Sequence, residues 1–151
     1  MEETIFDKLL KGEIPSWKVW EDEKFLAFLT PFPNTPGLTV VIPKQNNGDY
    51  VFNLSDEEYS ELLIAAKIVA RILEKAFNTT RVALVFEGTG VAHVHAKLIP
   101  LHGELAGQTN VWSPYTEFNE KYLGYLTTAE GPKMDDAELD KIQQLILDAQ
   151  K

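Results

Sequence analysis

Cysteine is absent from the 151 residues, which excludes a disulfide framework, a thiolate metal site and a cysteine nucleophile. Basic residues are outnumbered, 14 against 23 acidic, for a formal charge of −9 at pH 7. Nucleic-acid backbones are recognised by a basic face, so no nucleic-acid partner is expected, although a few local donors could still hold a small anion. No apolar run approaches the roughly 20 residues of a membrane span, and no membrane partner is expected. Met1-Glu2-Glu3 is acidic where a secretory signal would be basic and then apolar. No targeting peptide is expected, and together with the missing cysteine this points to a cytoplasmic location. Histidine is also scarce, with three residues in the chain.

What is present describes an ordinary globular domain, with 44% hydrophobic and 25% charged residues. A chain of this length hides about 70% of its unfolded surface on folding, enough for one core. Thr4 and Asp7 have capping-box spacing ahead of Ile5, Leu9 and Leu10, and Gly12 can end the turn, so a short helix is expected there. Trp17 to Trp20 and Phe25 to Leu29, parted by Glu21-Asp22-Glu23-Lys24, read as a hairpin. Pro31, Pro33, Pro36 and Gly37 stiffen the connection to a strand from Leu38 to Ile42. Ser55 with Glu58 makes a second capping box. From Tyr59 through Leu62, Leu63, Ala66, Val69, Ala70 and Leu73 to Phe77 runs the stripe of a core-facing helix. Arg81 to Phe86 and Val91 to Pro100 read as two more strands. Residues 110–128 are aromatic and irregular, with Trp112, Tyr115, Phe118, Tyr122 and Tyr125, and a last amphipathic helix is expected from Asp136 to about Ala149. The order predicts an α+β fold: a mostly antiparallel five-stranded sheet, one long and one short helix, and a C-terminal helical extension.

Two of the three histidines share the segment His93-Val94-His95-Ala96-Lys97. If it is a strand, alternation puts His93, His95 and Lys97 on one face, about 7 Å apart in steps of two residues. Val94, Ala96 and Leu98 then face a core. Gly88-Thr89-Gly90 lies just upstream, where missing side chains let backbone N–H groups approach an anion. Imidazole is a nucleophile and general base near neutral pH. A His-x-His pair could also ligate zinc, with His102, Glu87 or Glu104 completing the set, but Lys97 in the same row would repel the ion; no metal is expected. His102 alone reads as a loop residue.

The segment His93-Val94-His95-Ala96-Lys97-Leu98-Ile99-Pro100 resembles the signature strand of the histidine triad (HIT) family, His-φ-His-φ-His-φ-φ with φ apolar. Further blocks resemble that family in order: Ile5-Phe6, Lys11-Gly12-Glu13-Ile14-Pro15, Glu21-Asp22 with Leu26-Ala27-Phe28, and Pro36-Gly37 leading to Val41-Ile42-Pro43-Lys44. The resemblance implies a HIT-like domain over residues 1–104, with 105–151 an extension packed on the same domain. It implies a nucleotide hydrolase or nucleotidyl transferase, needing no cofactor. The substrate would be a nucleoside phosphoramidate or dinucleoside polyphosphate, attacked at its α-phosphate through a nucleotidyl-histidine intermediate. By the same resemblance the nucleophile is His95, His93 orients it, and Lys97 stands at the third position, against phosphate or leaving group. The nucleotide would be held by Phe6, Phe28, Leu29, Thr30, Gly88, Thr89 and Gly90, and the protein would be a homodimer.

This chain departs from the family pattern at several places. Lys97 replaces the third histidine, and at a reference pKa near 10.4 a lysine is a poor acid at neutral pH. Leu29-Thr30 stands where the family often has His-Asp, Leu38 and Asn46 where it often has histidine, and Gly90 where it has a polar residue. These losses imply an altered substrate, or a module that binds nucleotide without turning it over. Lys44, Lys97 and Arg81 are the candidates to offset the acidic surface for an anionic ligand.

Overall fold

The computed structural model of the chain describes residues 2–107 and 133–151, so the aromatic stretch at 110–128 lies outside the described residues. The elements in order are α1 (Ile5–Leu10), β1 (Trp17–Glu21), β2 (Phe25–Leu29), β3 (Thr39–Pro43), α2 (Asp56–Phe77), β4 (Val82–Val85), β5 (Ala96–Pro100) and α3 (Asp136–Asp148). The five strands form one antiparallel sheet in the order β1-β2-β3-β5-β4. The α+β architecture is the expected one.

Local chemistry explains where the elements begin and end. Both capping boxes form: Thr4 with Asp7 opens α1, and Ser55 with Glu58 opens α2. The β1–β2 turn is closed by the Asp22 carboxylate, which accepts from the N–H groups of Lys24 and Phe25 at 2.8 and 2.7 Å. Asn78 ends α2 in the left-handed region at φ 49°, where a short polar side chain costs least. Gly37 must be glycine: φ is +85°, and a Cβ would lie 2.3 Å from the Phe77 ring.

Alternation sorts the sheet into two faces. On one, Val19, Ala27, Leu29, Val41, Ala96 and Leu98 pack against Leu62, Val69 and Leu73 of α2 and Leu139 and Ile146 of α3. On the other, Leu26, Phe28, Val40, Ile42 and Ile99 pack with Phe6 of α1. Helix α3 packs against β1 and α2. Its Gln143 and Gln150 amides donate to the carbonyls of Lys18 and Val19 on outer strand β1, at 2.8 and 2.7 Å.

The strand expected from Val91 to Pro100 is shorter, starting at Ala96. Its pairing with β3 runs Thr39 to Leu98, Val40 to Lys97 and Val41 to Ala96. Continued, that register would set Val94 against Pro43, which has no N–H to give. The chain turns away instead: the Val94 N–H bonds to Gly48 O at 2.7 Å, and Asn46 Nδ2 donates to Ala92 O at 2.9 Å. His93 and His95 therefore precede the strand proper, yet the expected sidedness holds: Val94, Ala96 and Leu98 join the α2-side core, and both histidines meet Phe6 of α1.

Candidate functional site

The two histidines lie on the same side of the segment but differ in their access to the cleft. His93 is completely buried and is not a wall of the cleft described below. Its Nε2 lies 2.7 Å from the Pro43 carbonyl oxygen. A carbonyl only accepts, so Nε2 carries the proton and Nδ1 is left as a lone pair, with no hydrogen-bond partner among the described residues. Burial pushes the His93 imidazole below its ordinary pKa, outweighing the bond to Pro43 and the nearby Asp7 carboxylate, which act the other way. His93 is thus a neutral, structural ring.

His95 is oriented by the backbone of His93. Its Nδ1 lies 2.7 Å from the His93 carbonyl oxygen. By the same reasoning Nδ1 holds the proton, and Nε2 keeps its lone pair. The Phe6 ring meets both imidazoles edge-on, at centroid distances of 5.4 Å for His95 and 5.7 Å for His93. Phe28 in turn meets Phe6 at 5.5 Å. Helix α1 is only six residues long and would not persist alone; burying Phe6 fixes both the helix and the ring positions.

His95 opens into a cleft of about 490 Å³ on the α1 side of the sheet. One part of its wall is polar, with His95, Lys97, Glu87, Thr89 and Gly90. The rest is largely apolar, including Ile5, Phe6, Leu9, Phe28 and Leu38. Lys97 Nζ pairs with Glu87 Oε1 at 2.6 Å, with side chains 14% and 26% exposed, so the cation enters the cleft accompanied by a carboxylate. Gly90, at φ +92°, has nothing within 4 Å of where a Cβ would stand, which leaves its backbone open to a ligand.

Of the expected residues, the cleft brings together Phe6, Phe28, Leu29, Thr30, Thr89, Gly90, His95 and Lys97. It does not include Gly88, whose missing Cβ would point at Tyr50 Cδ2, 3.4 Å away. Thr30 is buried, and its Oγ1 accepts from the Phe32 N–H at 3.2 Å, steadying the loop. Lys44 and Arg81 are not cleft walls; Lys44 instead bonds Asp22 O at 2.6 Å and Glu21 at 3.1 Å. His102 is a loop residue, with Nε2 2.8 Å from Pro36 O. Among the described residues no group of three or more His, Asp or Glu is arranged to hold a metal ion. Two residues missed in the sequence, Trp17 and Phe32, also line the cleft, and Glu87, considered there only as a metal ligand, pairs with Lys97. Only Glu87 had a sequence signal, a lone acid beside the Gly-x-Gly turn.

Comparison with known proteins adds to this geometry. A family profile described as HIT domain matches residues 11–104. The chain is 36% identical over 121 residues to Protein hit of Bacillus subtilis, covering 77% of this chain and 83% of that one. It is 32% identical over 123 residues to a protein of Saccharomyces cerevisiae named adenosine 5′-monophosphoramidase, covering 81% of this chain and 77% of the yeast protein. The crystal structure of a HIT-like protein from Bartonella henselae superposes with a TM-score of 0.71 at 24% identity, covering 97% of this chain and 96% of that one. That last likeness speaks for the fold. Among the described residues no helix is long and apolar enough to cross a membrane.

Proposed function

This chain belongs to the HIT-domain family, and from that premise we propose that it is a nucleotide hydrolase or nucleotidyl transferase using His95 as nucleophile. Relatives named adenosine 5′-monophosphoramidase support nucleotide hydrolysis at the level of the family. The observation that carries the finer reading is the His95 ring, held by its Nδ1–H on the His93 carbonyl at 2.7 Å beside an open cleft. In the neutral ring that tautomer puts the lone pair on Nε2, the nitrogen that would attack.

With adenosine 5′-phosphoramidate, Nε2 attacks the phosphorus, the P–N bond breaks, and its electron pair leaves on nitrogen, which takes a proton from solvent water and departs as ammonia. The adenylyl group is then on His95. Water attacks the same phosphorus and gives up a proton to solvent, the P–Nε2 bond breaks, the electron pair returns to the ring, and AMP is released. Lys97, as an ammonium, stabilises charge developing on the phosphoryl oxygens, and Glu87 holds it in place. Phe6, Phe28, Leu29 and Thr30 take the nucleoside, while Thr89 and Gly90, with Gly88 setting the turn behind them, take the phosphate. The nucleotide is the small-molecule partner, and no metal or other cofactor takes part. Residues 1–104 form the HIT-like domain in this reading, and 105–151 its extension. Outer strand β4 with exposed Leu84, and α2 with exposed Ile64 and Ile68, support a homodimer; light scattering that gives only the monomer mass would remove that element.

The test is turnover of adenosine 5′-phosphoramidate and diadenosine polyphosphates by wild type and His95→Ala. A loss of at least about a thousandfold in kcat with an unchanged circular dichroism spectrum is expected. Retained turnover in the variant would overturn the nucleophile. The alternative, a binding module, is favoured by the Glu87 carboxylate on Lys97, which reduces the net charge available to a phosphate. It predicts calorimetric binding of AMP with neither product nor a covalent adduct.

A further inference from the structure

We propose that Trp17 is a specificity-determining wall at the nucleoside end of the cleft, and that Asp140 of the C-terminal helix is its positioning residue. The proposal rests on the nucleotide reading of the cleft. Trp17 opens β1 and pairs with Leu29, the last residue of β2. In the sheet order, β1 and the Lys97 strand β5 are separated by β2 and β3. Three inter-strand steps of about 4.8 Å put them about 14 Å apart. Trp17 is therefore at the end remote from the phosphate chemistry, where a planar aromatic ring suits a base better than a phosphate.

Its placement depends on α3. The indole Nε1–H donates to Asp140 Oδ1 at 2.9 Å, so the ring is fixed from the α3 side, while Trp17 both borders the cleft and packs against the α2-side core. A second bond runs the same way: the Met134 N–H, just before α3, reaches Pro31 O at 2.9 Å, and Pro31 is also a cleft wall. Helix α3 cannot shift freely, because Leu139 and Ile146 are buried beneath it. Helix α3 and the residues just before it thus grip two wall residues at one end of the site. The substrate it would select is one whose nucleoside presents a flat face to the indole.

The test measures AMP binding by calorimetry and phosphoramidate kinetics for wild type, Asp140→Ala, Asp140→Asn and Trp17→Ala. Asp140→Ala is expected to raise the Kd for AMP and the KM about three- to fivefold with kcat unchanged. Asp140→Asn keeps an acceptor oxygen and is expected to restore wild-type values. Trp17→Ala is expected to weaken AMP about tenfold, the scale of one base–aromatic stack. Equal Kd in wild type and Asp140→Ala overturns the positioning role and leaves the nucleotide reading standing. Equal loss in the Ala and Asn variants also overturns it, since the acceptor would not be what matters. Failure of wild type to bind AMP overturns the nucleotide reading and this inference with it.

Discussion

The two faces of the sheet are built to different ends. The α2 face is closed by a 22-residue helix and by α3, with Leu62, Val69, Leu73 and Ile146 all at 0% exposure. The α1 face is covered by a six-residue helix that leaves a cleft of about 490 Å³ at its side. A short helix can close only part of a five-stranded sheet, and the uncovered part is where His95, Lys97 and Glu87 meet. The closed core and the candidate site are thereby carried by opposite faces, sharing the strands between them. Trp17 is an exception at the sheet edge, packed into the α2-side core and also lining the cleft.

Three measurements break or sharpen this contrast. The largest expected effect is on the open face: His95→Ala should lose catalysis by at least about a thousandfold while the melting temperature moves little, since the ring already lines a cleft. The reverse is expected on the closed face. Leu62→Ala should cost about 2–5 kcal/mol in denaturant unfolding, with KM and kcat of the folded enzyme unchanged. A change in KM comparable to the stability loss would show that the faces are not separate.

The smallest effect concerns His93, which is buried between them and held neutral. Its folded pKa is lowered, so below about pH 6.5 the unfolded chain takes up a proton that the folded chain refuses. Stability is then full above the unfolded pKa and falls as pH drops through it, by at most about 1.4 kcal/mol per pH unit, until the folded pKa is reached. His93→Gln should flatten this part of the stability–pH curve between pH 6.5 and 5. Superimposable slopes for wild type and variant would assign the acid sensitivity elsewhere.

Much of this was legible in the chain. Capping boxes at Thr4 and Ser55, the stripe from Leu62 to Leu73 and the short apolar runs of β2 and β3, bounded by turn residues, are local signals, set within a few residues. The family was legible too, from the His93–Pro100 segment and the blocks before it. The shared side of His93 and His95 was legible as well, since both rings meet Phe6 while Val94, Ala96 and Leu98 face the other core. The burial of His93 was not, because it depends on the Pro43 carbonyl, fifty residues earlier. Lys44 and Arg81 looked available to a ligand because charge counts carry no direction, and neither is a wall of the cleft.

The sequence by itself determined the elements and the single antiparallel sheet, because these follow from periodicity and capping, and its motifs pointed to the family. Only the tertiary structure decided which nitrogen of His95 is free, which carboxylate accompanies Lys97, and that a helix near the C-terminus holds Trp17. Each of those depends on how side chains are aimed in space: at the His93 carbonyl two residues away, at the Glu87 carboxylate, and at Asp140, 123 residues from Trp17.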